Sequence, residues 1–257
     1  MTPEIKQQRK GMFTGSEVHR LMAGAGGYES CEWSDNEPMY EKRKTESGEF
    51  SYVVVTEKPK NKNVYRFNDK FLPDGAITYI YEKLGETLDN YDKPDGFENH
   101  STRWGKETEW QAIEAYEQRN ECILSHTGEN QMFFGNDDYG ATPDGVLYDE
   151  NFLPVRVVDT KCPQAHTHIF NILNVKTVQD LKKHYPEYYF QGLLQILCVG
   201  CDYFDWVSFR PTMPEHLQYL QITISAIEAA ADIELLKHRL KLAIERKKEY
   251  LELLKVI

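Results

Sequence analysis

Apolar positions along the chain repeat in two rhythms, one near the helical period and one alternating, and the changes between them mark the elements. The stretch GMFTGSEVHRLMAG carries Thr14 three residues before Glu17, a capping-box pattern that predicts a short helix over about Gly15–Ala23. AGAGG then breaks it. Ile77, Ile80, Tyr81 and Leu84 recur at helical spacing from Asp74 onward, and a Pro/Asn/Asp/Gly-rich loop follows from Leu88 to Asn99. A second helix is predicted over Arg103–Arg119 and a third over Pro186–Val199. CILSHT, QMFFG, ATPDGVLY and LPVRVVDTK, within residues 122–161, read as strands, as do YFDWVSFRP and LQYLQITI. Ser225 and Glu228 form another capping-box pattern, opening a C-terminal helix whose stripe runs through Ile233, Leu236, Leu240, Ala243, Ile244, Leu251 and Leu254.

Residues 28–70 break both rhythms. They are rich in Glu, Ser, Asn and Lys, and within them SYVVVTEK and NVYRF predict a hairpin across a Lys/Asn/Pro turn. The segment reads as an insertion on one mixed α/β domain spanning residues 1–257, and no internal repeat is present.

Composition narrows the class. Hydrophobic residues at 40% and charged residues at 28% suit a globular chain. No secretory h-region and no apolar run near the roughly 20 residues of a bilayer span is present, so no membrane association is expected. Five scattered cysteines fit a reducing compartment, hence a cytoplasmic protein. The net charge of -11 argues mildly against a polyanionic partner, although local patches and bound cations can outweigh it.

The candidate chemistry lies in ATPDGVLYDENFLPVRVVDTKCP. Strand alternation puts Asp159 and Lys161 on one face and Val158 and Thr160 on the other. Pairing of the two runs would bring Asp144 to Asp159. Two carboxylates can hold hard cations, with Lys161 placed to orient or deprotonate an attacking water, which suits phosphodiester hydrolysis. Acidic-x-Lys occurs four times in the chain, but only Asp159-Thr-Lys161 lies in an apolar β-branched run. On this segment alone a metal site and a surface salt bridge stand level. Glu109 shifts the balance. It shares a helical face with Ala112, Ile113 and Tyr116, whereas Glu107 falls on the polar face. Gln191 and Gln195 are similarly placed one turn apart, and bonding to nearby backbone explains them equally well.

Four segments in order, RKGMFTGSEVHRLMA, RWGKETEWQAIEAYE, ATPDGVLY…VVDTKCP and YYFQGLLQILCVG, resemble the phage lambda-type exonucleases, also called YqaJ-like viral recombinases, of the PD-(D/E)xK superfamily. The resemblance implies a restriction-endonuclease-like core with a central mixed β-sheet flanked by helices. It implies a metal site of Asp144, Asp159, Glu109 and the Thr160 main-chain carbonyl, holding one or two Mg²⁺ ions for which Mn²⁺ can substitute. Lys161 and Gln191 would complete the catalytic set, and Arg9 and Ser16 would hold a terminal 5′-phosphate. It further implies 5′→3′ digestion of one strand of linear duplex DNA, a ring-like homotrimer, and partnership with a single-strand annealing protein. Two departures stand out: Asp159 where close relatives usually carry Glu, and the 28–70 insertion. An endonuclease or repair nuclease of the same fold, and a non-catalytic DNA-binding protein, are the competing readings. Cys198 and Cys201 read as core thiols, His166 and His168 as loop residues, and the ERKK run as a solvated helix face.

Overall fold

The computed structural model describes residues 2–22, 27–45, 50–60, 62–89 and 100–256. The chain begins with α1 (Pro3–Gln8), β1 (Phe13–Thr14) and α2 (His19–Met22). Four strands follow: β2 (Tyr28–Cys31), β3 (Met39–Lys44), β4 (Phe50–Val55) and β5 (Val64–Phe67). Next come α3 (Asp74–Leu88), α4 (His100–Asn120), β6 (Phe134–Gly135), β7 (Tyr139–Ala141), β8 (Gly145–Tyr148) and β9 (Pro154–Lys161). The remainder comprises α5 (Ala165–Asn174), α6 (Val178–His184), α7 (Pro186–Val199), β10 (Tyr203–Phe209), β11 (Tyr219–Ser225) and α8 (Ala230–Leu254).

The central sheet runs β11-β10-β9-β8 and is mixed, with β9 and β10 parallel and the outer pairs antiparallel. Its two faces feed two apolar clusters, because alternate residues of one strand point opposite ways. Val157, Phe204 and Trp206 join side chains of α2, α3, α7 and α8, while Val158 and Val207 join Ala112, Ile113 and Tyr116 of α4. Helices therefore flank both faces, as the family resemblance implies. Two glycines permit the close approaches involved. A Cβ on Gly192 of α7 would lie 2.3 Å from the Phe204 ring, and one on Gly145 would lie 2.7 Å from Leu124. A small sheet, β1-β7-β6, sets the N-terminal turn beside the segment that leads into Asp144. No helix among the described residues is long and apolar enough to cross a membrane.

Several local expectations are overturned. Thr14 does not cap a helix from residue 15. It is committed to β1, with its N–H donated to the Tyr79 hydroxyl at 3.0 Å, and regular helix starts only at His19. Ser225 is likewise the last residue of β11, so a turn intervenes and α8 starts at Ala230 without a side-chain cap. CILSHT is extended chain with one isolated bridge at Ser125, and only Phe134–Gly135 of QMFFG is strand. His166 and His168 lie on α5, not in a loop. His168 is fully buried between the Ser208 hydroxyl at 2.9 Å and the Leu217 carbonyl at 2.7 Å. The two strands predicted as a hairpin do not pair, since β3 lies between them in the order β2-β5-β3-β4. The charged sequence MYEKRK hid that middle strand. Most of AGAGG and of the 88–99 loop lies outside the described residues.

Candidate metal and nuclease centre

Asp159 lies in the last turn of pleat before β9 ends, 2% exposed, beneath the N-terminal half of α7. Its Oδ1 accepts from the Gln191 amide at 2.7 Å and the Gln195 amide at 3.0 Å. Its Oδ2 is ion-paired with Lys161 Nζ but has no hydrogen-bond donor in good alignment. The lysine also lies 5.1 Å above the Tyr188 ring. Gln191 and Gln195 are therefore aimed at the carboxylate, not at backbone. Gln195 is the residue the sequence left open, and its one-turn offset from Gln191 was the available signal.

Asp144 arrives from the neighbouring strand. Gly145 pairs with Val158, and the Asp144 N–H donates to the Val158 carbonyl at 3.0 Å, which sets Asp144 beside Asp159. Its Oδ2 accepts the Thr160 N–H at 2.7 Å and the Thr160 hydroxyl at 3.1 Å. Glu109 reaches in from α4, on the face that buries Ala112, Ile113 and Tyr116, and Glu107 is exposed. A residue no sequence signal marked, Gln131, stands between these two acids. Its amide nitrogen is 3.2 Å from Asp144 Oδ1 and 3.5 Å from Glu109 Oε1.

Asp144, Asp159 and Glu109 repel one another here, and Lys161 is ion-paired with Asp159. Burial first, and then repulsion from Asp159 and Glu109, push the Asp144 carboxyl up to about 8. Glu109 is raised for the same reasons, burial ahead of Asp159. Burial would lower the Lys161 ammonium, but Asp159 and Asp144 outweigh it and hold its pKa above the ordinary value. Among the described residues, no three His, Cys, Asp or Glu side chains stand close enough together to hold an ion as they are placed. The chemistry of the donor set nonetheless fits a hard divalent cation. It offers carboxylate oxygens in negative excess, with an amide N–H donor between Asp144 and Glu109 that a rotation of Gln131 would remove.

Arg9 and Ser16 lie apart from this cluster, along a cavity of about 730 Å³. It is lined by Lys6, Arg9, Lys10 and Lys83 but also by Glu17, Glu82, Glu86 and Asp89, so it is mixed in charge. Lys83 is itself consumed by Glu17 at 3.1 Å and Glu86 at 3.0 Å. Burial pushes the Arg9 guanidinium down, against Tyr79, Glu17 and Glu86; from so high a starting value it stays charged. Ser16 is exposed. The preceding Gly15 packs against Gln191, where an added Cβ would lie 3.4 Å from its Cγ, so the N-terminal turn abuts the Asp159 cluster.

A family model described as a YqaJ-like viral recombinase domain matches residues 73–202, just over half of the chain. An alkaline exonuclease from Laribacter hongkongensis superposes with a TM-score of 0.64 at 21% identity, covering 99% of this chain and 98% of that one. Its complex with dAMP gives a TM-score of 0.64 at 22% identity over 100% of both chains. A phage-related exonuclease from Haemophilus somnus 129PT gives 0.60 at 16% identity over 95% and 96%. No curated protein matches the sequence.

Proposed function

Because the chain belongs to the YqaJ-like viral recombinase family, we propose that it is a metal-dependent exonuclease that degrades one strand of linear duplex DNA from its 5′ end. The observation that carries this reading is the grouping of Asp144, Asp159 and Glu109, with Gln131 between Asp144 and Glu109 and Lys161 on Asp159, a set of mutually repelling carboxylates that a bound cation would stabilise. Asp144, Asp159, Glu109 and the Thr160 carbonyl would hold one or two Mg²⁺ ions, with Mn²⁺ an adequate substitute. Bound there, such ions supply Lewis-acid activation of water and stabilisation of the leaving oxygen.

The protein's own groups divide the remaining work. Gln191 and Gln195 fix the Asp159 carboxylate in one rotamer through two hydrogen bonds to the same oxygen. Thr160 does the same for Asp144. Lys161 orients the attacking water and offsets charge developing on the phosphate. Arg9 and Ser16 anchor the terminal 5′-phosphate, which places the first phosphodiester at the cluster because their turn abuts Gln191. We further propose action in the cytoplasm as a homo-oligomer, a trimeric ring, feeding a single-strand annealing protein, on one domain of residues 1–257.

Digestion of end-labelled linear duplex with Mg²⁺, comparing 5′-phosphate with 5′-hydroxyl ends, tests the reading. Release of nucleotides from the 5′ end, faster with the phosphate and lost in Arg9→Ala, is expected. Cleavage of closed circular DNA at the same rate would instead point to an endonuclease. No cleavage of any DNA with either metal would reject the nuclease reading.

A further inference from the structure

The four strands β2 to β5 sort their side chains by chemistry. Their register places Tyr28, Tyr40, Phe50, Tyr52, Tyr65 and Phe67 on one face. Lys42 and Lys44 fall on that face too, and no carboxylate of these strands does. Glu29 and Glu41 point to the opposite face, where Arg66 pairs with Glu29, and Lys62 and Arg43 pair with Glu41. In a chain of net charge -11, this is a surface on which strand positions supply cations and rings and exclude acids.

Five of the six rings form one continuous plate, with Phe50 beside it. Tyr28 stacks on Tyr52 with centroids 4.2 Å apart and planes 1° from parallel. Tyr40 and Phe67 meet Tyr28 edge-on at 4.9 and 5.5 Å, and Tyr65 meets Tyr52 at 5.1 Å. None of the six joins either hydrophobic core cluster. Phe50 and Phe67 stay 61% and 55% exposed at opposite sides of the plate, and Lys42 Nζ lies 4.3 Å over the Phe50 ring. The cores of protein–protein interfaces are poor in lysine, which argues against a protein occupant. An exposed ring beside two lysines, with a second exposed ring across the plate, suits unpaired bases and their phosphates, and a duplex would hide the base faces that such rings need.

We propose that the β2–β5 face binds single-stranded DNA, with bases stacked on the outer rings and phosphates held by Lys42 and Lys44. The surface is separate from the carboxylate cluster and its binding requires no cleavage. It holds even if the chain proves not to be a nuclease. In a strand-degrading enzyme its ligand would be the strand left behind.

Fluorescence anisotropy in EDTA with a labelled thymidine oligomer of about 20 nucleotides, beside a duplex of equal length, reads the proposal directly. Phe50→Ala/Phe67→Ala and Lys42→Gln/Lys44→Gln are each expected to bind the oligomer about tenfold more weakly, with duplex affinity unchanged. The lysine variant should also lower the salt slope of single-strand binding by about 1.4, two phosphate contacts at roughly 0.7 each. If the ring variant melts early, the lysine variant alone decides, since its side chains are exposed. Oligomer affinity equal to the wild type in the lysine variant overturns the proposal, as does failure of the wild type to bind the oligomer. A change of assembly state by light scattering with oligomer affinity intact also overturns it, and would make the face a contact between copies of the chain.

Discussion

Asp159 on β9 and Asp205 on β10 sit on adjacent strands, one on each face of the central sheet, and both are buried. Asp205 is saturated. Its Oδ2 accepts from the Tyr116 hydroxyl at 2.6 Å, Arg156 at 2.6 Å and the Gln221 amide at 2.9 Å, while its Oδ1 takes the Thr223 hydroxyl at 2.6 Å. Asp159 is ion-paired with Lys161 and repels Asp144 and Glu109, and one of its oxygens lacks an aligned donor. A buried carboxylate with four donors ties α4, β9, β10 and β11 together. A buried cluster short of positive charge is held there by the fold at a cost, and that cost needs a reason outside the apo protein. Burial and charge are alike at the two sites; the balance of partners separates scaffold from chemistry.

The sharpest way to break this contrast is to neutralise each aspartate. Asp159→Asn should slow cleavage of linear duplex by about a thousandfold, near 4 kcal/mol of barrier, while leaving the thermal midpoint equal or higher. An inactive variant that also melts early would place Asp159 with the scaffold. Asp205→Ala should do the opposite in urea unfolding, costing about 3 kcal/mol because Arg156 loses its partner at a site only 26% exposed. Retained stability there would erase the distinction.

Cation binding sharpens the same point. Mg²⁺ at about a hundred times its Kd should stabilise the wild type by roughly 2.7 kcal/mol, several degrees in midpoint, and EDTA should reverse it. Asp144→Asn should show little of this shift; an equal shift in that variant would locate the ion elsewhere. The smallest effect concerns His168, a third buried polar group, here satisfied in its neutral form. Burial lowers its pKa below the ordinary value, despite the Leu217 carbonyl. The unfolded chain then binds the extra proton first, so stability is complete above about 6.5 and falls as pH drops below it, by at most about 1.4 kcal/mol per unit. Replacing His168 with Gln should flatten that slope in denaturant titrations between about pH 5 and 7.

How much of this was legible in the sequence depended on whether periodicity carried it. Helix α7 matches its predicted bounds because Pro186 and Gly200 punctuate a largely apolar run. Glu109 could be turned inward from its neighbours' spacing, and Asp159 stood out as a charge inside a β-branched strand. The missing parts are those set by tertiary contact. Gln131 sits in irregular chain, where no period says which way a side chain points. Both capping boxes failed because Thr14 and Ser225 were already committed to strands. Strand β3 was overlooked because its alternation is of rings and charges, with Met39 and Glu41 buried behind Tyr40 and Lys42.

Among the described residues β4 pairs with β3 alone, and none of them adds a strand to its outer edge along the run Tyr52-Val-Val-Val55. Val54 on that strand is 57% exposed, and an uncharged β-branched edge is a template on which further strands can add. The rate of turbidity growth on concentration would register such addition.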